Sequence, residues 1–384
     1  MSQSANRGLL PAGLQDLLAP DAAHEAAVVE RLMASFTGHG YERVKPPLME
    51  FEETLLAGAG AAVSQQTFRL MDPVSQRMMA LRADITPQVA RVAATRLRQA
   101  PRPLRLCYAG QVLRVKGSQL RPERQFGQAG AELMGAARPE ADAEVVLLAA
   151  AALGAAGVAT ISVDLNQPTL VTAVARGLNI DPETTGRLRQ ALDRKDAAAV
   201  AELAGTHAAL FQSLLSKAGP AADALPALKA LALPDAARVE LDRLDRVAAL
   251  IAAAAPDLTL TVDPVEHRGF EYQTGVSFTL FARGVRGELG RGGRYETEYP
   301  DGASETATGF TLYMDTVLRA VPPPAPARRL YLPPATDSAS AGRLRSEGWT
   351  TVAGLDPERD PLDEAKRLGC SHAWLADQIQ QIGD

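Results

Sequence analysis

Four separated segments carry the polar residues best suited to chemistry: Leu81-Arg82-Ala83-Asp84-Ile85-Thr86-Pro87, Val112-Leu113-Arg114, the run RQFGQAGAE from Arg124 to Glu132, and EHRGFEYQTGVSF from Glu266 to Phe278. The candidates among them are the acids Asp84 and Glu132, the arginines Arg114 and Arg268, and the neutral polar residues Thr86, Gln128, Tyr272 and Gln273. A free amino acid offers an ammonium group, a carboxylate and a side chain. Its site therefore needs an acid, a base and specific polar partners, mostly desolvated, and the four segments contain each. Taken singly, the residues also suit plainer roles. Arg268 fits a surface ion pair, and Gln128 and Glu132, four apart on one strand, share a face that solvent could equally meet.

Metal chemistry is not expected. His24, His39, His207, His267 and His372 include no pair at ligand spacing, and Cys107 and Cys370 match no metal-binding pattern. His267 is the histidine beside the candidate site. The glycines at 287, 290, 292 and 293 fall between expected strands rather than ahead of a helix, so turn or close-packing roles are expected in place of a phosphate loop.

In order and separation the segments resemble the motifs of the class II aminoacyl-tRNA synthetases, the histidyl-tRNA synthetases in particular, from about Leu10 to Val321 outside an insertion. That family carries Leu-Arg-Pro-Glu-Gly-Thr, Phe-Arg, Gln-Phe-His-Gln-x-Gly-x-Glu, Arg-Gly-Leu-Asp-Tyr-Tyr and Gly-Gly-Arg-Tyr. The last two stand here as Arg268 to Gln273 and Gly292 to Tyr295. The resemblance implies a histidine site in which Asp84, Thr86 and Gln128 hold the ammonium, Arg114 and Arg268 the carboxylate, and Glu132 an imidazole nitrogen, with Tyr272 and Gln273 beside the ring. Gln273 replaces the family's second tyrosine, so an amide must make that contact. Arg268 and the Gly290 to Gly293 segment are expected to close over the ligand.

Activation chemistry, by contrast, is dismantled. The family binds bent ATP with a strand arginine, an acid two residues later and an arginine in a later helix. Arg114 keeps the first, Lys116 reverses the charge of the second, and Asp315-Thr316 stands where Glu-Arg closes the third motif. Gly127 replaces the motif histidine, and the loop from Arg114 to Arg124 lacks the family's Arg-Pro-Gln. The phrase Leu81 to Arg91, LRADITPQVAR, is similar to that of the synthetase-like regulatory subunits of ATP phosphoribosyltransferase. This resemblance implies a non-catalytic protein without cofactor. It would form a homodimer within a hetero-oligomer with a short-form catalytic subunit, activating it and transmitting inhibition by histidine. The alternatives are an active or reduced histidyl-tRNA synthetase, which histidine-dependent pyrophosphate exchange would reveal, and an RNA- or nucleotide-binding module, which salt-dependent tRNA binding would reveal.

These residues need a scaffold, and 384 residues with 46% hydrophobic content can bury one. A net charge of −5 gives no general drive toward nucleic acid, although nine basic residues between Arg91 and Arg124 make a locally basic segment. No apolar run reaches the ~18 residues of a membrane span, and two cysteines without a pattern suit a reducing, cytoplasmic setting. Periodicity predicts helices over 21–36, 86–97, 140–153 and 308–321, and strands over 41–44, 67–81 (two), 104–115, 126–134, 258–262, 276–282 and 285–289. Thr86 is expected to cap its helix. The expected fold is α+β: an antiparallel sheet flanked by helices in 1–165 and 256–321, with a helical insertion over 166–255. Beyond the proline-rich linker 322–326, residues 327–384 are expected to form a small α/β unit like a truncated anticodon-binding domain, with no tRNA role.

Overall fold

The structure, a computed structural model, describes residues 8–117, 121–267, 272–299 and 301–382. Arg268, with the rest of its Arg-Gly-Phe-Glu run, lies outside the described residues. The chain divides into two compact units at Pro322–Pro323.

In the first unit, helix α1 (Asp21–Gly38) precedes strands β1 (Glu42–Arg43) and β2 (Met49–Phe51), a short α2 (Glu52–Leu55), then β3 (Arg69–Met71) and β4 (Met78–Leu81). Strands β2, β4 and β3 form a small antiparallel sheet of their own. Next come α3 (Thr86–Thr95), the long hairpin β5 (Leu104–Leu113) and β6 (Gln125–Met134), α4 (Pro139–Ala156) and β7 (Ile161–Asn166). The alanine-rich stretch that follows contains α5 (Leu170–Gly177), α6 (Pro182–Asp193), α7 (Ala197–Ala204), α8 (Ala208–Leu215), a two-residue β8 (Gly219–Pro220), α9 (Ala221–Lys229) and α10 (Asp235–Ala254). Strands β9 (Thr259–Val262), β10 (Gln273–Ala282), β11 (Gly290–Glu298) and β12 (Ser304–Tyr313) lead to α11 (Met314–Ala320).

The main sheet has nine strands in the order β1-β5-β6-β12-β11-β10-β7-β9-β8. It is antiparallel through its centre, where the motifs sit, but β1 runs parallel to β5 and β7 parallel to β9, so the sheet is mixed rather than antiparallel throughout. Side-chain alternation sorts its two faces. On β6, Ala129, Ala131 and Leu133 join the large core that α1, α4 and α10 cover, while Phe126 and Met134 pack with Ile85, Val89 and Ala93 of the α3 side. Gln128 and Glu132 share the parity of Phe126 and face α3. The helices between β7 and β9 share the large core with the sheet.

Three expectations are corrected. The stretch 308–321 is not one helix: residues 304–313 are strand and only Met314–Ala320 is helical. Both faces of β12 are buried, so its apolar content shows no polar alternation and resembles a buried helix. Residues 285–289 form a turn leading into β11 rather than a strand. The segment Gly290 to Gly293 is therefore the start of a central strand, paired on both sides with β10 and β12, and no loop that closes over a ligand. A Cβ at Gly292 would lie 2.3 Å from the Gly309 carbonyl oxygen, so close packing explains that glycine.

The second unit has β13 (Arg329–Leu332), α12 (Ser338–Ser346), β14 (Thr350–Ala353), α13 (Pro361–Arg367), β15 (His372–Leu375) and β16 (Gln378–Gln381) in a sheet ordered β14-β13-β15-β16. The final strand pairs antiparallel with β15 as a hairpin. Asp337 and Asp360 cap its two helices by accepting from backbone N–H groups.

Candidate functional site

The α3-facing side of the sheet carries a cavity of about 280 Å³, near the lower end of small-molecule sites. Asp84, Thr86, Arg114, Glu132, Tyr272 and Gln273 all line it, so six of the eight expected residues converge from β5–β6, β10 and the start of α3. Of the other two, Gln128 stands one layer behind, and Arg268 falls outside the described residues.

Glu132 forms the floor and is 1% exposed. Its Oε1 accepts from Thr86 Oγ1 at 2.9 Å and its Oε2 from the Tyr295 hydroxyl at 2.9 Å. Behind Thr86 the hydroxyls continue: Thr86 Oγ1 is 3.0 Å from the Tyr108 hydroxyl, which is 2.7 Å from Thr311 Oγ1. With one hydrogen per hydroxyl, a consistent ordering runs Thr311 to Tyr108 to Thr86 to Glu132. Burial pushes the Glu132 carboxyl up to about 8, against the lowering effect of the Tyr295 and Thr86 hydroxyls. At neutral pH it is thus a protonated acid. Room for it comes from its cross-strand neighbour: Gly309 is paired with Glu132, and a Cβ there would sit 1.7 Å from Oε2.

Asp84 is held from two directions. Its Oδ1 accepts from the backbone N–H of Thr86 at 2.9 Å, and its Oδ2 from Gln128 Nε2 at 3.1 Å. Asp84, not Thr86, therefore satisfies a backbone donor at the start of α3, which leaves the Thr86 hydroxyl for Glu132; the expected Thr86 cap is corrected accordingly. Gln128 spends its other amide atom on the N–H of Ile85 at 3.1 Å. It orients the acid and the helix start from beneath. Arg114 Nη2 lies 4.0 Å from Asp84 Oδ2, so the wall of the cavity presents both signs of charge.

Tyr272 and Tyr295 meet edge to face at 6.0 Å between centroids. Gln273 is buried opposite Tyr295 in the β10–β11 register, and its Oε1 has no hydrogen-bond partner among the described residues. Arg294 of the glycine-rich run faces the other side of the sheet, where it pairs with Asp142 at 2.8 Å and binds the Ala136 and Arg138 carbonyls. His267 lies against Asp193 and does not line the cavity.

Several lining residues were not singled out as candidates. Tyr295 stands in a quoted motif, but Thr311, Arg291 and Glu288 reach the cavity only through the fold, with Tyr108 behind them bonded to Thr86 and Thr311. At the positions tied to ATP, Thr316 is buried and accepts from Arg319, while Asp315 is ion-paired with Arg121 at 2.8 Å. Among the described residues no group of three or more His, Cys, Asp or Glu could hold a metal ion, and no helix is long and apolar enough to cross a membrane.

The histidyl-tRNA synthetase family model matches residues 13–317, which include every residue of the cavity. A protein of Rhodospirillum centenum named ATP phosphoribosyltransferase regulatory subunit is 61% identical over 381 residues, covering 99% of this chain and 98% of its own length. The chain belongs to this family of synthetase-like regulatory subunits. A protein of the same name from Paramagnetospirillum magneticum is also 61% identical, with complete coverage of both chains. The fold of the family is equally plain. A crystal structure described as an ATP phosphoribosyltransferase regulatory subunit/histidyl-tRNA synthetase from Bacillus halodurans superposes with a TM-score of 0.83 at 24% identity, covering 94% of this chain and 96% of that one.

Proposed function

We propose that the cavity binds histidine, and that this chain is a regulatory subunit through which histidine controls a short-form ATP phosphoribosyltransferase catalytic subunit. The observation that carries the reading is the Glu132 floor. A buried neutral acid, oriented by two hydroxyls, is a specific partner for an imidazole nitrogen. On the wall, Asp84 suits the ligand ammonium and Arg114 its carboxylate, with Arg268 assigned to the carboxylate as well. Gln273, buried beside the ring position with an unsatisfied oxygen, has an N–H to gain from the ligand.

The chain itself turns over no substrate; phosphoribosyl transfer belongs to its partner. Thr316 and the Arg121–Asp315 pair support this, since neither offers a free cation to a transferring phosphate. Control then follows from linkage: histidine must bind one state of the assembly more tightly than another, by the same factor with which it shifts the partner. We place the chain as a homodimer within a cytoplasmic hetero-oligomer, with the C-terminal unit a reduced anticodon-binding-like domain that serves no tRNA. The test is reconstitution. Adding this protein to a short-form catalytic subunit is expected to raise its activity and make it sensitive to histidine, and Arg268→Ala or Glu132→Ala is expected to abolish the sensitivity. Histidine-dependent exchange of pyrophosphate into ATP by this chain alone would refute the regulatory reading.

A further inference from the structure

One wall of the cavity is an arginine folded back onto aromatic rings. The Arg121 guanidinium carbon lies 3.8 Å from the Tyr313 ring centroid and 5.0 Å from that of Phe126. Arg121 Nε donates to Asp315 Oδ2 at 2.8 Å, with the two side chains only 11% and 13% exposed. The rings themselves stand edge to face, 6.1 Å apart, and the Arg114 guanidinium covers the same Phe126 ring at 5.1 Å.

A guanidinium is planar and stacks on aromatic faces much as a flat heterocycle does. The head of Arg121 therefore takes up the volume that a ligand ring would need against Tyr313 and Phe126. Without it, the slot would have two aromatic walls and the cation of Arg114 at its edge. Ring faces combined with positive charge select a planar base carrying an anionic group, the chemistry of a nucleotide. The partly buried ion pair to Asp315 holds the plug in place, since withdrawing Arg121 would leave a carboxylate without its counter-charge. The same carboxylate would repel an incoming phosphate.

We propose that Arg121 is a specificity-determining residue: stacked on Tyr313 and held by Asp315, it fills the slot beside the amino-acid cavity and limits the site to a ligand of amino-acid size, excluding nucleotides. This deepens the histidine reading, but its test needs no histidine. Adenosine serves as the probe because it reads the ring slot without phosphate repulsion by Asp315. By calorimetry, the wild-type protein is expected to show no saturable adenosine binding. Arg121→Ala is expected to bind adenosine saturably, at least about tenfold more tightly than the upper limit the wild-type titration sets, as stacking on an exposed ring face provides. Asp315→Ala keeps Arg121 but frees it, and is expected to give a smaller gain; it also decides the matter if Arg121→Ala does not fold. Wild-type binding as tight as that of the variants, or no gain in variants that melt like the wild type, overturns the proposal. Histidine titrated into the same samples separates the two ideas, because loss of histidine binding in the wild type would sink the histidine site whatever adenosine does.

Discussion

Replacing Glu132 with glutamine tests the floor of the cavity. Its carboxyl titrates at about 8, whereas a free imidazole titrates near ~6.5. Between those values the empty site holds a neutral acid and the free ligand a neutral ring. When the two meet, carboxyl and ring share one proton across their hydrogen bond, and the complex exchanges no proton with solvent. Above about 8 the empty site is already ionised, so binding must draw a proton from solvent and affinity falls roughly tenfold per pH unit. Below ~6.5 the free ring is charged, binding must release a proton, and affinity falls with the same slope. Histidine affinity is therefore expected to be bell-shaped, weaker at pH ~9 than on the plateau by roughly tenfold. Glutamine keeps an acceptor and cannot ionise. Glu132→Gln should lower plateau affinity by ~1.5–3 kcal/mol, the worth of a charge-assisted hydrogen bond, and lose the alkaline limb that belongs to the site. Titration of the ligand ammonium is common to both proteins and cancels in their ratio. Stability follows the same group with a definite sign: a carboxyl raised from 4.5 to about 8 contributes fully below its ordinary value, and that contribution is lost as pH rises through about 8. Urea denaturation at pH ~6.5 and ~9 should show this loss in the wild type and not in the variant. Calorimetric titrations across this range in which the wild-type to variant affinity ratio is constant would refute the reasoning.

Gly309→Ala places a Cβ where Glu132 Oε2 now lies, 1.7 Å away, and 2.7 Å from the Ala131 carbonyl oxygen. It is expected to weaken histidine binding by about tenfold or more and to cost ~1–3 kcal/mol of stability in urea melts; unchanged affinity would show that Glu132 does not touch the ligand. Asp142→Ala removes the partner of Arg294, whose side chain is 5% exposed, and one partner of Arg243 on α10. The unpaired buried charge should cost ~3–5 kcal/mol in the same assay, and a loss below ~1 kcal/mol would mean that the cluster has no structural weight.

Much of the candidate site was legible because its members are motif residues whose type is dictated by chemistry. Asp84, Arg114 and Glu132 lie in separate segments, yet their order along the chain matched a site that needs an acid, a base and a polar floor. The roles of their neighbours were less legible. Gln128 looked like a ligand contact, but its amide is spent on Asp84 and Ile85. Thr86 looked like a helix cap, but its hydroxyl serves Glu132. In each case the partner lies on a distant segment of the chain, and only packing brings it into reach. Strand β12 reads as a helix in the sequence for a related reason. Burial on both faces removes the polar alternation that marks a strand.

By itself the sequence determined the kind of ligand chemistry available and the loss of the charges that activation would need, since both depend on which residue types occupy the motifs. Only the tertiary structure decided which of these residues share a cavity, that Gly309 makes room for Glu132, and that Arg121 folds onto Tyr313 beside it. A carboxyl's protonation state and a cavity's size are properties of desolvation and of cross-strand distance. Both arise when β6, β12 and β11 pair, and neither is written in any one segment.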